Sequence, residues 1–488
     1  MKSINLNRQN ITLYPDCKRV LLRPFHIMTG QRASEICAHV MALSEDEVDT
    51  LLRQLCSEFE GRHKNLRGFF RNRFEEARHY LLSDRLISEE RSLLIGGYFT
   101  HEYSFEATAL FNPSIVPHQD QSHLKSGSLR FILSLRGTGE GHVSSICFRS
   151  GVVDSKGIVS IDAPSRYSLG PARVANAPIE KSLFERKLRE LKLIGAFSRE
   201  VLKQHGDSFT LEELRASIVV ATKKLRVHDV EIAKVTRQTL ALARSSFAVQ
   251  FDADSCLSER VLFPVTPAQS HGLEDARFVL FHDEDGTETY YATYTAYDGK
   301  DIQPEFLETP DFLQFKLTSL HGLAVRNKGM ALFPRKINGQ YAMLGRQDFA
   351  NLYVMFSDHL HFWQKKKLIV GPKYPWEFIQ MGNCGSPIET EAGWLVLSHG
   401  VGPMRKYCIG AFLLDLKDPT KVIGRLREPL INPNEEEREG YVPNVVYSCG
   451  SLVHARQLII PYGTSDSATT FATVRLDDVL AAMQKPQF

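Results

Sequence analysis

Apolar positions along the chain change period more than once. Between residues 34 and 95 they recur three and four apart, as on one face of a helix. Val48, Leu51, Leu52 and Leu55 follow the run Ser44-Glu45-Asp46-Glu47, a capping box in which serine and glutamate satisfy each other's backbone N–H groups at a helix start. A second run, from about residue 65 to residue 82, sets Leu66, Phe69, Phe70, Phe74 and Ala77 on one side. These patterns predict an N-terminal helical extension over residues 1–100. From Leu110 onward, short stretches rich in β-branched and aromatic residues alternate with Gly, Pro, Asn and Asp, which predicts strands near 129–135, 289–295, 341–344, 394–398 and 458–462. Residues 178–245 return to the helical period behind a second capping box, Thr210-Leu211-Glu212-Glu213. The chain therefore reads as mainly β, with residues 101–488 forming the β domain and a helical insertion at about 178–245.

The β part repeats weakly. Apolar strands end in a polar residue at Arg136, Tyr294, Arg346, His399 and Asp466, the last four about fifty to seventy residues apart, the scale of a propeller blade with its loops. Blades set radially would bring these strand ends to one central channel. Such a channel, lined by arginines, a histidine and an aspartate, suits a polar and partly anionic ligand. Asp298, Asp348 and Asp358 follow strands too, but read as turn residues that bond their own backbone. Trp394 sits on an apolar strand and reads as core.

Composition narrows the classes without choosing among them. The 488 residues are 43% hydrophobic and 24% charged with a net charge of +2, ordinary globular usage without a field that would gather nucleic acid. The eight cysteines lie far apart with no metal-ligand spacing, so no metal is expected and the thiols read as free in a reducing compartment. Met1 to Asn10 is polar, and no stretch reaches the roughly 20 apolar residues of a membrane span. The expectation is a cytoplasmic protein with no nucleic-acid or membrane partner.

The segment Gly272-Leu273-Glu274-Asp275-Ala276-Arg277 resembles the Gly-x-Glu-Asp-Pro-Arg motif of glycoside hydrolase family 130, the mannoside phosphorylases and mannosidases. Phe111-Asn112-Pro113, the strand ending in Arg136, Lys328 with Leu332-Phe333-Pro334, Ser386-Pro387-Ile388-Glu389-Thr390, His399-Gly400-Val401 and Tyr462-Gly463 with Asp466 accompany it in order. The resemblance implies a five-bladed β-propeller, a β-mannooligosaccharide substrate, inorganic phosphate as co-substrate, no other cofactor, and a homo-oligomer. It implies Asp275 as general acid, delivering its proton through a mannose hydroxyl. Asn112, Arg136 and Asp466 would grip the mannose, and Lys328, Arg346 and His399 would bind phosphate. Two positions depart from the pattern: Ala276 replaces the motif proline, and Gln380 stands where the family's phosphorylases usually carry a lysine.

Inverting hydrolysis usually needs an acid and a second carboxylate to activate water, whereas phosphorolysis needs the acid and cations that hold an already anionic nucleophile. Lys328, Arg346 and His399 beside Asp275 favour phosphorolysis to mannose 1-phosphate, with a β-1,2 linkage expected. Gln380 favours the alternative, an inverting β-1,2-mannosidase, for which Glu389 is the candidate base. A non-catalytic propeller scaffold is the third reading. As an acid, Asp275 should be held protonated by burial and by Glu274. Neighbours on a regular strand point to opposite faces, so only one of Glu274 and Asp275 should face the sugar unless the segment turns. Glu274 and Tyr294 are further candidates for substrate contact.

Overall fold

The computed structural model describes residues 4–82, 85–225 and 230–484, so the first three residues of the polar N-terminus and 226–229 of the helical insertion lie outside it. The predicted N-terminal helices are present as Gly30–Ala42, Glu45–Phe59, Leu66–Ala77 and Glu89–Tyr98. Both capping boxes form: Glu47 N donates to Ser44 Oγ while Ser44 N donates to the Glu47 carboxylate, and Thr210 and Glu213 repeat the exchange.

Five antiparallel meanders succeed one another among the described residues. The first comprises Ala109–Pro117, Leu129–Thr138, Ser144–Val153 and Val159–Ile161, and the second Gly272–His282, Glu288–Tyr297, Ile302–Thr309 and Gln314–Ser319. The third runs through Ala331–Leu332, Tyr341–Gly345, Leu352–Ser357 and Lys367–Val370. In the fourth, Gln380–Asn383 and Ile388–Thr390 pair with Gly393–Gly402, followed by Lys406–Leu414 and Val422–Arg425. The fifth sets Val446–Tyr447 and Leu452–His454 against Gln457–Thr464, then Ala468–Arg475, and takes its outer strand, Asn7–Leu13, from the chain's beginning. Each polar residue of the sequence repeat lies on, or one to two residues beyond, the second strand of its meander.

The first two meanders are merged into one 11-stranded sheet by a single parallel bridge, Gly272 to Ser144. Gly272 has φ 142°, and a Cβ there would lie 2.7 Å from Ser144 N, so only glycine allows this approach. The fold is mainly β, built of several sheets with added helices, and no sheet among the described residues closes on itself.

Packing explains why the strands read as nearly unbroken apolar runs. Alternate residues of one strand enter different cores: Ile132 packs with the second meander, whereas Phe131, Leu133 and Leu135 pack with Ile459 and Phe471 of the fifth. Likewise Leu395 and Leu397 meet Leu458 and Ile460, while Trp394 and Val396 meet Phe333 and Leu344 of the third. Val279 and Phe281 share a core with Met343 and Met355. Every meander thus packs on the one before and the one after, the fifth on the first. At the rough rate of 25 cal/mol per Å2, these two-sided burials are the main favourable contribution to folding.

Candidate active site

Two β-bulges build the centre of the site. The register between Gly272–His282 and Glu288–Tyr297 slips between Glu274 and Arg277, so Asp275 and Ala276 together face one residue of the partner strand. Asp275 is left-handed, φ 54°. The pairing of Ala109–Pro117 with Leu129–Thr138 slips in the same way between Phe111 and Ser114, and Asn112 has φ 49°. The bulge at Asp275 brings both neighbouring carboxylates to Arg136, although of the two only Asp275 lines the cavity described below. Arg136 Nη2 donates to Glu274 Oε1 at 2.6 Å and its Nη1 to Asp275 Oδ1 at 3.1 Å, so one guanidinium holds both neighbours. Asn112 Nδ2 donates to Asp275 Oδ1 at 2.6 Å, and Arg136 Nε to Ser144 Oγ at 2.8 Å.

A cavity of about 130 Å3 opens onto this centre, lined by Asn112, Arg136, Asp275, Lys328, Arg346 and Asp466, with Arg405, Tyr407, Val445 and Tyr447 completing the wall. Residues from all five meanders or their connections therefore meet there, from 112 to 466. Four of the lining side chains are basic and two are acidic, so the cavity carries a surplus of positive charge. Lys328 Nζ stands 3.7 Å from Glu274 Oε2. Among the described residues Arg346 has no carboxylate as hydrogen-bond partner: Nε donates to Lys328 O at 3.2 Å and Nη1 to His399 Nε2 at 3.2 Å. Asp466, at φ 50°, is a third left-handed residue here. Such backbone conformations cost energy in non-glycine residues and persist where surrounding structure enforces them.

The electrostatics differ from the sequence expectation. Burial alone would raise the Asp275 pKa, but Arg136, Lys328 and Arg277 and the Asn112 hydrogen bond hold it well below the usual carboxylate range. These charges favour the carboxylate form of Asp275, against the expectation of a protonated acid. Asp466 goes the other way: burial, reinforced by Asp275, pushes it up to about 6 against the pull of Arg136, Arg405 and Lys328. His399 is fully buried, and burial together with Arg346 and Arg277 drives its pKa well below the ordinary histidine value. It is a neutral acceptor that orients Arg346, not a third cation. Gly382 permits that contact, since a Cβ there would sit 2.4 Å from His399 Cε1.

Other candidates fall elsewhere. Tyr294 belongs to the core between the first two meanders; its hydroxyl donates to Glu305 and accepts from Gln269 Nε2 at 3.0 Å, away from the cavity lining. Glu389 forms a two-pronged pair with Arg335 at 2.6 and 2.8 Å and lines a separate groove beside Pro387 and Pro117. It is not the second carboxylate of this cavity; Asp466 is. Asp298 and Asp348 accept from backbone N–H groups two and three residues on, as turn residues do. Arg277, beneath the site, donates to Asn383 O at 2.7 Å and to Tyr447 Oη at 2.6 Å, a tie no local motif reveals. Arg405, Tyr407 and Tyr447 escaped the sequence reading because they sit on the hairpin after His399 and on the short strand after Asn444, outside the repeated strand ends. Among the described residues, no three His, Cys, Asp or Glu side chains gather as a metal would require.

Residues 216–485 match the family model of glycoside hydrolase family 130, described as β-1,4-mannooligosaccharide phosphorylase. The chain belongs to this family. Glycoside hydrolase family 130 relatives include the 1,2-β-oligomannan phosphorylase of Thermoanaerobacter sp., 35% identical over 246 residues that span 49% of this chain and 80% of that protein. The β-1,2-mannobiose phosphorylase of Listeria innocua is 29% identical over 254 residues, 50% of this chain and 68% of that one. The β-1,4-mannooligosaccharide phosphorylase of Ruminococcus albus is 35% identical over 166 residues, 32% and 50% respectively. A solved structure of the Listeria innocua enzyme with β-1,2-mannobiose aligns at a TM-score of 0.47 and 20% identity over 77% of this chain and 92% of that one. The family match covers Asp275, Lys328, Arg346 and Asp466, while Asn112 and Arg136 enter the site from the segment before it.

Proposed function

We propose that the chain is an inverting β-mannoside phosphorylase, moving a terminal β-1,2-linked mannosyl residue to inorganic phosphate to give mannose 1-phosphate. The observation that carries this reading is the surplus of cations in the cavity, with Arg346 free of any carboxylate partner among the described residues. Two phosphorylases of β-1,2-mannosides among the relatives support the linkage. The meanders would be the blades of a five-bladed β-propeller: each shares a core with both neighbours and the fifth with the first, which is the packing of a ring. Asn7–Leu13 would then fasten the ring by completing the last blade.

In this account Asn112, Arg136 and Asp466 hold the mannosyl unit, and Lys328 and Arg346 hold phosphate on the face opposite the leaving group. A phosphate oxygen bonds to the anomeric carbon as the glycosidic C–O bond breaks, and a proton that Asp275 has taken up from water once phosphate is bound ends on the departing oxygen. A phosphate dianion entering the cluster offsets the cations that keep Asp275 deprotonated, so its proton affinity rises when the nucleophile is in place. Running the reaction backwards tests the assignment: mannose 1-phosphate and mannose should yield a β-1,2-linked disaccharide and stoichiometric inorganic phosphate. A chain that only hydrolyses β-mannosides and never condenses these substrates would refute it.

A further inference from the structure

Tracing each cation of the cavity to its partner leaves one unaccounted for. Arg136 is consumed by Glu274 and Asp275, Lys328 faces Glu274, and Arg346 is fixed by Lys328 O and His399. Arg405 lines the same cavity, yet it makes no hydrogen bond or ion pair to the described residues; its guanidinium stands 5.9 Å from the centre of the Tyr407 ring. It is exposed, at the tip of the hairpin between Gly393–Gly402 and Lys406–Leu414, where Gly402 pairs with Lys406.

The hairpin is unusual in its backbone. Met404 and Arg405 are both left-handed, φ 57° and 54°, in a turn whose commonest occupants at such positions are glycine, asparagine and aspartate. Neither residue gains a compensating local hydrogen bond from its side chain. Apart from that contact with the Tyr407 ring, nothing in the packing of the described residues asks for an arginine here. What the turn achieves is to set a guanidinium on the rim of a cavity whose floor holds Arg346, buried, and whose wall holds Tyr447, the hydroxyl of which accepts from Arg277 and keeps its own proton to donate. Two guanidinium forks and a phenol are the donor set that a tetrahedral oxyanion with several acceptor oxygens satisfies.

We propose that Arg405 is a ligand for inorganic phosphate, binding it from the rim while Arg346 binds it from the floor. This rests on the phosphorolytic reading above and names the residue that completes its anion subsite. The charge lies on the hairpin directly beyond the Gln380–Asn383 strand, since Gln380 pairs with Val401 and Arg405 follows four residues later. Asp466 lies within the field of Arg405, so the rim charge also reaches the mannosyl side of the cavity.

The test is R405G, chosen because a structural role and a ligand role move it in opposite directions. Glycine relieves the left-handed backbone, so the variant should melt at the same temperature as the unmodified chain or higher. Loss of a charge-assisted, two-pronged contact should raise KM for inorganic phosphate about ten- to a hundredfold, with KM for β-1,2-mannobiose changed less than about twofold. R405K, which keeps the charge but loses the fork, should fall between. A phosphate KM within about twofold of the unmodified chain in R405G would overturn the proposal while leaving phosphorolysis intact. Failure of the unmodified chain to form mannose 1-phosphate from any β-mannoside would overturn the parent reading instead.

Discussion

Asp466→Asn should make the protein more stable and less active, and the stability gain should depend on pH in one direction. Asp466 has a folded-state pKa of about 6 against 3.8 for an unhindered aspartate, because burial and the nearby Asp275 disfavour its charge. With the folded pKa above the unfolded one, the native state binds more protons between these values, so stability falls as pH rises through that window. At about 1.4 kcal/mol per tenfold in proton affinity, the full cost of ionising Asp466 comes to about 3 kcal/mol above pH 6. Asparagine is nearly isosteric, remains neutral, and tolerates the left-handed φ of 50° at this position. Urea denaturation of both proteins from pH 4 to 8 measures the difference. It should be near zero at pH 4, grow through pH 5 to 6, and level off at about 2–3 kcal/mol in favour of the variant. At the same time the variant should lose a contact to the mannosyl unit. A pH-independent difference, or a variant less stable at pH 7 than at pH 4 relative to the unmodified chain, would refute the reasoning.

Asp275→Asn should lower phosphorolysis by about a hundred- to ten-thousandfold, the usual share of a general acid, with the fold retained by circular dichroism. Glu106 is fully buried and accepts from Arg149 Nη2 at 3.0 Å with both oxygens while Arg19 Nε stands 3.0 Å away, so Glu106→Gln leaves two buried guanidiniums uncompensated. It should cost about 3 kcal/mol, read from the urea midpoint at constant m-value. Removing residues 1–13 strips the outer strand from the last meander and breaks the Arg8–Glu437 ion pair; light scattering should then show self-association through the uncovered Ala468–Arg475 edge.

The parts of the fold that were legible are those whose cause is local. The two capping boxes and the helical runs announce themselves because their bonds join residues three apart. The strand repeat is legible because strands buried on both faces carry nearly continuous apolar runs, such as Phe131 to Leu135 with Ser134 as its one polar residue, and a turn must follow each. The strand Asn7–Leu13 was not legible, since its sequence is polar and its partner lies more than 450 residues away. Within the site, residue identities could be picked from motif and strand-end position, and the cavity brings Asn112, Arg136, Asp275, Lys328, Arg346 and Asp466 together. Their ionisation states could not be picked, because these depend on which charges meet in space. Asp275 is driven to the anion by Arg136 and Lys328, and His399 to the neutral ring by burial beside Arg346 and Arg277. The bulge at Asp275 likewise has no sequence signature once the motif proline is an alanine, yet it alone lets Glu274 and Asp275 share one guanidinium.

The most direct test of the central claim is to incubate the purified chain with β-1,2-mannobiose, with and without inorganic phosphate, and to assay mannose 1-phosphate and free mannose separately. The account predicts equal amounts of mannose 1-phosphate and mannose, formed only when phosphate is present. Release of two mannose molecules per disaccharide at a rate indifferent to phosphate would contradict it.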